Sequence, residues 1–142
     1  MNRMMSDSAS TLVSALPFCS HLGMQPAPSG VTLPDTPELT NHIGTVHAGA
    51  IFTLGEAASG AAAMRDLPQV FGGLAVVKTA SIAYKKPAKG AISAKGSLAE
   101  PAADLLARLE ADGKLSFDVL VSLEDAVGVE VATMTVTWYA KR

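Results

Sequence analysis

The chain has 142 residues, of which 49% are hydrophobic, 17% are charged and 5% are aromatic. This length fits one domain with a full core, and this composition excludes a disordered chain. The formal net charge is −2, so no general basic field exists and nucleic acid is not an expected partner. The single cysteine, Cys19, cannot form an internal disulfide and fits a reducing cytosol, so a cytoplasmic location is expected.

Neither a metal nor a membrane is expected. The three histidines lack the Cys or acid spacing of a metal-binding motif. Residues 1–16 contain Asp7 and several serines in place of an uninterrupted apolar stretch, so they do not predict a secretory signal. Residues 46–64 have about the length of a membrane span, but they are rich in alanine and glycine and contain Glu56. We interpret this stretch as a core helix.

The first third of the chain predicts one short helix and one extended segment. Leu12, Val13 and Leu16 suit an N-terminal helix that ends at Pro17, within an N-terminal extension of residues 1–20. Residues 24–33 predict an extended segment, which its prolines restrict to a sheet edge or to loops. The long small-residue helix is predicted over residues 47–66, because Pro68 enforces its end.

The second half changes to a hydrophobic period of two. It predicts a short amphipathic helix over residues 101–112 and four strands, at residues 74–84, 91–98, 115–123 and 129–139. The order of a strand, a long apolar helix and four more strands predicts an α+β domain over residues 1–142. We expect an antiparallel meander packed against one helix.

Glu56 is an isolated acid in a helix that has no polar face. Such a helix is normally buried on nearly all sides, and a desolvated carboxylate has a raised pKa unless a partner keeps it ionised. This is the environment of a general base, so Glu56 is the main candidate for a catalytic residue. The alternative is a structural acid that binds backbone groups or a lysine.

His47 cannot reach Glu56 within one helix. Nine residues correspond to about 900° of rotation, which is half a turn out of alignment, and to about 13.5 Å along the axis. Two antiparallel copies of the helix could bring these positions together, and Gly49, Gly55 and Gly60 would allow a close approach. The alternative for the glycines is a plain loss of helix stability, roughly 1 kcal/mol each. We therefore hypothesise a site shared between two subunits.

The stretch Asn41-x-x-Gly44-x-x-His47-Ala48-Gly49, followed by Glu56, resembles the signature of hotdog-fold acyl-CoA thioesterases. The similarity covers about residues 20–140, and it is to the branch of the 4-hydroxybenzoyl-CoA and phenylacetate-pathway thioesterases. It implies a hotdog fold, in which a curved antiparallel sheet of about five strands wraps a long central helix. It also implies a homodimer, or a homotetramer of two dimers.

The resemblance assigns a role to each matching position. Glu56 corresponds to the catalytic carboxylate, acting as nucleophile or as general base. The backbone N–H of Ala48 corresponds to the donor to the thioester carbonyl, in keeping with the positive end of a helix dipole. Asn41 corresponds to a polar contact for the carbonyl or the water, and His47 to the histidine that shapes the turn. Ala48 replaces the family's glycine, which implies a different acyl pocket.

The remaining candidates concern substrate binding. Some relatives have a threonine at the position of Gly60, and Ser59 lies on nearly the same helix face. The lysines around Pro87 are either a platform for the phosphates of coenzyme A or a solvated loop. The predicted substrate-binding residues are Gly49, Ser59, Gly60, Lys85, Lys86 and Lys89.

The predicted function is hydrolysis of an acyl-CoA thioester to a free acid and coenzyme A. No cofactor is expected, and coenzyme A enters only as part of the substrate. The alternatives are a non-enzymatic acyl-CoA-binding or ligand-sensing hotdog protein and, with less support, a hydratase, whose usual Asp–His pair is not visible here. The acyl group and the choice between nucleophile and base stay open.

Overall fold

The long helix α3 (Ala48–Asp66) lies at the centre of the molecule and is buried along most of its length. This computed structural model describes residues 2–28 and 30–142. Met1, in the predicted N-terminal extension, and Ser29, in the predicted extended segment, lie outside the described residues. Small side chains let the helix approach the sheet closely: a Cβ on Gly55 would lie 2.5 Å from Met134 Sδ. Close packing therefore accounts for this glycine.

Six antiparallel strands form one sheet that packs against α3. In β5 and β6 buried side chains alternate with accessible ones, as the period of two predicts, and β5 buries Leu115, Phe117, Val119, Val121 and Leu123. The sheet order is β1-β2-β4-β5-β6-β3, and the strand bounds are β1 (Gln25–Ala27), β2 (Gly30–Leu33), β3 (Leu74–Tyr84), β4 (Ile92–Leu98), β5 (Lys114–Glu124) and β6 (Glu130–Lys141).

The position of β3 corrects the predicted meander. Strands β4, β5 and β6 do follow one another, but β3 pairs with β6 at the far edge of the sheet and not with β4. A period of two specifies which side chains face the core and leaves the neighbouring strand undetermined. The connection between β3 and β4 instead contacts the chain that leads into α3, where Val46 N–H donates to Ala88 O at 2.8 Å.

The N-terminal third also differs from the prediction. The extended segment is a hairpin of two short strands, β1 and β2, so the sheet has six strands and not five. The N-terminal helix is followed directly by a second, because Pro17 is tolerated in the first turn of a helix, where its missing N–H has no partner to lose. These helices are α1 (Asn2–Ser14) and α2 (Pro17–His21), and the later amphipathic helix is α4 (Ala102–Asp112).

Strand β3 lies at the edge of the sheet and, among the described residues, pairs with β6 alone. Its apolar side chains Leu74, Val76 and Tyr84 are exposed, so an 11-residue edge is open to a further strand. Within the described residues, no helix combines the length and the apolarity that a bilayer span requires.

Candidate active site

The 41–45 loop, which leads into α3, is closed by the side chain of Asn41. Its Oδ1 accepts the N–H groups of Ile43 at 3.1 Å and Thr45 at 3.0 Å, and its Nδ2 donates to Thr45 Oγ1 at 2.8 Å. Gly44 has a φ of +78°, which glycine adopts at no steric cost. The amide of Asn41 thus holds the loop, and its contact with a substrate stays a prediction.

His47 is the N-cap of α3 and lies outside the helix. Its φ and ψ of −63° and 136° are extended, and its Nδ1 accepts the N–H of Gly49 at 2.8 Å. This bond requires a neutral imidazole whose proton is on Nε2. The predicted half-turn offset between His47 and Glu56 assumed that His47 is helical. This premise was wrong, because the helix begins at Ala48. The side chain does shape the turn into the helix.

Ala48 is exposed, and its backbone N–H has no acceptor within the described part of the chain. It is the first N–H of the helix, where intrahelical acceptors are missing. The carbonyl of the same peptide group, His47 O, accepts the N–H groups of Ala50 at 3.0 Å and Ile51 at 3.1 Å. The two hydrogen bonds that His47 O accepts polarise this peptide group, and this strengthens the Ala48 N–H as a donor. The geometry suits a donor to a developing oxyanion.

Ala48 is one of the residues that line a cavity of about 350 Å³. Asn41 and Ala48 line it from one side, and Tyr84, Lys85 and Lys86 line it from the end of β3. The structure thus brings together two segments that are far apart in the sequence, residues 41–51 and residues 84–88. A larger cavity of about 620 Å³ lies over β4, β5 and β6, and none of the predicted site residues lines it.

The three predicted lysines have different surroundings. The ammonium of Lys85 forms an ion pair with Glu130, whose second oxygen accepts Ser122 Oγ–H at 2.7 Å. These two hydrogen bonds lower the pKa of the Glu130 carboxyl. Lys86 lines the cavity and has no ion pair among the described residues, whereas Lys89 does not line the cavity. Lys86 is therefore the cation best placed for an anionic ligand.

Glu56 lies eight residues beyond Ala48, which is about 12 Å along the helix axis. It is half-buried, and burial raises the pKa of its carboxyl. The carboxylate makes no hydrogen bond or ion pair within residues 2–28 and 30–142, so the backbone or lysine partner of a structural acid is not found there. Its charge acts on the buried Cys19, whose thiol pKa is raised by burial and by the Glu56 carboxylate.

Ser59 and Gly60 belong to the core, and this corrects their assignment to substrate binding. Ser59 is 0% exposed; its Oγ donates to Glu56 O at 2.6 Å and accepts Trp138 Nε1–H at 3.0 Å. A Cβ on Gly60 would lie 3.5 Å from the Trp138 ring. Both residues are buried and cannot contact a substrate, so neither belongs to the candidate site. Gly49, by contrast, is exposed, and its N–H donates a hydrogen bond to His47 Nδ1.

Sequence reasoning missed Tyr84. Its hydroxyl donates to Ala48 O at 3.0 Å, and its side chain lines the cavity. The two residues are 36 positions apart, and the strand pattern marks Tyr84 only as the last residue of β3. No local sequence pattern indicates that the end of β3 contacts the start of α3.

Solved structures of several bacterial proteins share this architecture. A Pseudomonas aeruginosa protein, described as a protein of unknown function and probable thioesterase, is 26% identical with a TM-score of 0.79, over 96% of this chain and 95% of that one. The Bacillus halodurans protein BH2602, whose structure contains CoA, is 25% identical with a TM-score of 0.70, over 95% and 89%. A Shewanella oneidensis protein related to the thioesterase superfamily is 16% identical with a TM-score of 0.73, over 99% and 97%.

The chain therefore has the hotdog fold of the thioesterase superfamily, which confirms the fold that the resemblance implied. Within that class, it belongs to the family described as domain of unknown function DUF4442, which it matches over residues 1–140. A comparison with curated proteins finds no match.

Proposed function

We propose that the protein is an acyl-CoA thioesterase, which hydrolyses its substrate to a free acid and coenzyme A. The observation that carries the proposal is the Glu56 carboxylate, half-buried and without a protein partner in the described residues, on the helix whose first N–H is also free. The thioesterase-superfamily fold and the CoA bound by the Bacillus halodurans relative support the same reaction and the same class of ligand.

In this mechanism the thioester carbonyl oxygen accepts the Ala48 N–H. As base, Glu56 takes a proton from the attacking water, a C–O bond forms, and the negative charge moves onto the carbonyl oxygen. Collapse of this intermediate breaks the C–S bond, and the proton on Glu56 passes to the departing thiolate. As nucleophile, Glu56 forms an anhydride and expels the thiolate, and water then restores the carboxylate. One oxyanion donor contributes roughly 2.7–4 kcal/mol in other enzymes.

The site is proposed to be completed by a second copy of the chain. Within one chain, Glu56 does not line the cavity beside Ala48. The accessible side of α3 is a stripe of Gly49, Phe52, Thr53 and Glu56, spaced as one helix face. A partner that joined its own β3 to the open β3 edge would cover this stripe, and would bring Ala48 of one protomer to Glu56 of the other.

A mixed dimer tests the shared site. One subunit carries Glu56→Ala and the other Ala48→Pro, which removes the N–H donor but suits the first position of a helix. Each variant alone is expected to be inactive, and the mixed dimer should recover activity from its one intact site. No recovery would show that each chain builds its own site.

The phosphates of coenzyme A are proposed to lie near Lys86. Lys85 is largely compensated by Glu130, and Lys89 lies outside the cavity lining, so Lys86 is, of the three predicted lysines, the one that lines the cavity without an ion pair among the described residues. The overall proposal is tested with a panel of acyl-CoAs and a thiol-detecting reagent. Acyl-CoA binding without thiol release from any substrate would identify a non-enzymatic binding protein instead.

A further inference from the structure

The first turn of α3 is held by three side chains. Tyr84 O–H donates to Ala48 O at 3.0 Å, and Gly49 N–H donates to His47 Nδ1 at 2.8 Å. Thr53 Oγ1 donates to the next carbonyl, Gly49 O, also at 2.8 Å. The Ala48–Gly49 peptide group is thus fixed at its carbonyl by one segment of the chain and at its N–H by another.

This peptide adjoins the one that contains the free Ala48 N–H. The N–H lies in the plane of the His47–Ala48 peptide, which joins the following plane at the Ala48 Cα, so a restraint on the following plane limits the rotation of the first. The preceding plane is held by the two helix bonds to His47 O, and the following plane by Tyr84 and His47. Loss of the Tyr84 bond would let the second plane tilt and would widen the range of directions of the N–H.

Tyr84 itself is anchored to a fixed strand end. It pairs with Ala132 in β6, and the next residue, Lys85, donates its N–H to Val131 O at 2.8 Å. The ion pair of Lys85 with Glu130 ties the same strand end to β6 by side chains. Partial burial also raises the pKa of the Tyr84 phenol, so it remains a neutral donor.

We propose that Tyr84 is a positioning residue, whose hydroxyl fixes the Ala48–Gly49 peptide and thereby aims the Ala48 N–H at the thioester oxygen. This inference rests on the proposed thioesterase function. Its hydroxyl contributes to turnover and its ring forms a wall of the cavity, so the two parts of the side chain have separable effects.

The test compares Tyr84→Phe with Tyr139→Phe, since the chain has two tyrosines. Tyr139 lies half-exposed on β6, and its hydroxyl makes no hydrogen bond within the described residues. Tyr84→Phe is expected to lower kcat about 3- to 10-fold, the usual effect of one net hydrogen bond, with KM within about twofold. The loss should be equal for short and long acyl chains, whereas Tyr84→Ala should also raise KM.

The outcomes separate this inference from the proposed function. No thiol release by the wild type overturns both. Turnover by the wild type with equal kcat for Tyr84→Phe and Tyr139→Phe overturns only the role of Tyr84, as does a raised KM at unchanged kcat. Melting temperatures of the two variants should agree within a few degrees, which excludes a general loss of structure.

A second measurement does not require Tyr84→Phe to fold. Fluorotyrosine, whose phenol ionises at lower pH, is incorporated into the Tyr139→Phe protein and so labels position 84 alone. Ionised phenol cannot donate to Ala48 O, so kcat should fall at a lower pH than in the unlabelled protein. The labelled and unlabelled proteins share the surrounding groups His47, Lys85, Lys86 and Glu130. A difference between their pH profiles therefore comes from position 84. Coincident pH profiles would contradict the inference.

Discussion

Trp138 Nε1 donates a hydrogen bond to Ser59 Oγ at 3.0 Å, which joins β6 to the helical turn that carries Glu56. Both side chains are buried, and Phe71 packs edge-on against the indole with ring centroids 5.9 Å apart. Ser59 Oγ–H in turn donates a hydrogen bond to Glu56 O at 2.6 Å. The backbone of the candidate catalytic acid is thus held from the core side, while its side chain is half-buried.

Ser59→Ala is expected to destabilise the fold by about 1–3 kcal/mol, because the buried indole N–H loses its acceptor. Urea unfolding measures the change, and Ser116→Ala on the exposed face of β5 is the matched control. KM should not change in the folded fraction, since Ser59 has no exposed surface. An unchanged unfolding free energy would contradict this role.

Glu56→Gln is expected to lower kcat by about 100-fold or more, since it removes the base or nucleophile and keeps the shape. Binding of acyl-CoA should persist, as measured by calorimetry with the intact thioester. Glu110→Gln on the exposed side of α4 serves as the control. Full activity of the Glu56 variant would refute the proposed mechanism.

Ala48→Pro removes one N–H and leaves the helix start compatible with its backbone, because His47 already has the extended conformation preferred before proline. We expect a loss of kcat of about 100- to 1000-fold with little change in melting temperature. Ala48→Gly retains the N–H and should stay active. Equal activity of the proline and glycine variants would exclude the oxyanion role.

The raised pKa of Glu56 predicts a dependence of both activity and stability on pH. In the folded state the pKa of the Glu56 carboxyl lies above its ordinary value of 4.5. The folded state therefore binds this proton more tightly than the unfolded state does. Stability contributed by this group is therefore present at low pH and lost as pH rises through the folded-state pKa. Activity has the opposite slope, since the reaction needs the carboxylate.

Glu56→Gln should therefore be more stable than the wild type at about pH 7 and similar to it at about pH 4. Urea unfolding at both pH values measures the difference. A variant with the same relative stability at both would show that burial does not penalise the ionised form of Glu56.

Lys86→Ala is expected to raise KM for acyl-CoA about 2- to 5-fold at low salt, the range for an exposed ion pair. The effect should vanish with an acyl-pantetheine thioester, which lacks the nucleotide phosphates, and should shrink at high salt. Lys89→Ala, outside the cavity lining, is the control. Equal effects of the two substitutions would mean that no particular lysine binds the phosphates.

The candidate site could be predicted from the sequence only in part. The spacing of Asn41, His47 and Glu56 identified the segment, and the apolar helix around Glu56 predicted its raised pKa. Ser59 was misassigned, since a buried serine and a substrate-facing serine on one helix give the same local pattern. Its partner Trp138 is 79 residues away and Tyr84 is 36 residues from Ala48, so both hydrogen bonds depend on how distant elements pack.

Local sequence patterns specify the elements and their faces, because hydrophobic periodicity, prolines and glycines act over a few residues. β3 has the predicted bounds and β4, β5, β6, α3 and α4 lie within one or two residues of theirs. Three features follow from the packing of distant segments: β3 lies beside β6, His47 caps the helix from outside it, and Tyr84 donates to Ala48 O. These outcomes depend on which surfaces become neighbours when the sheet wraps the helix, and local periodicity does not specify that choice.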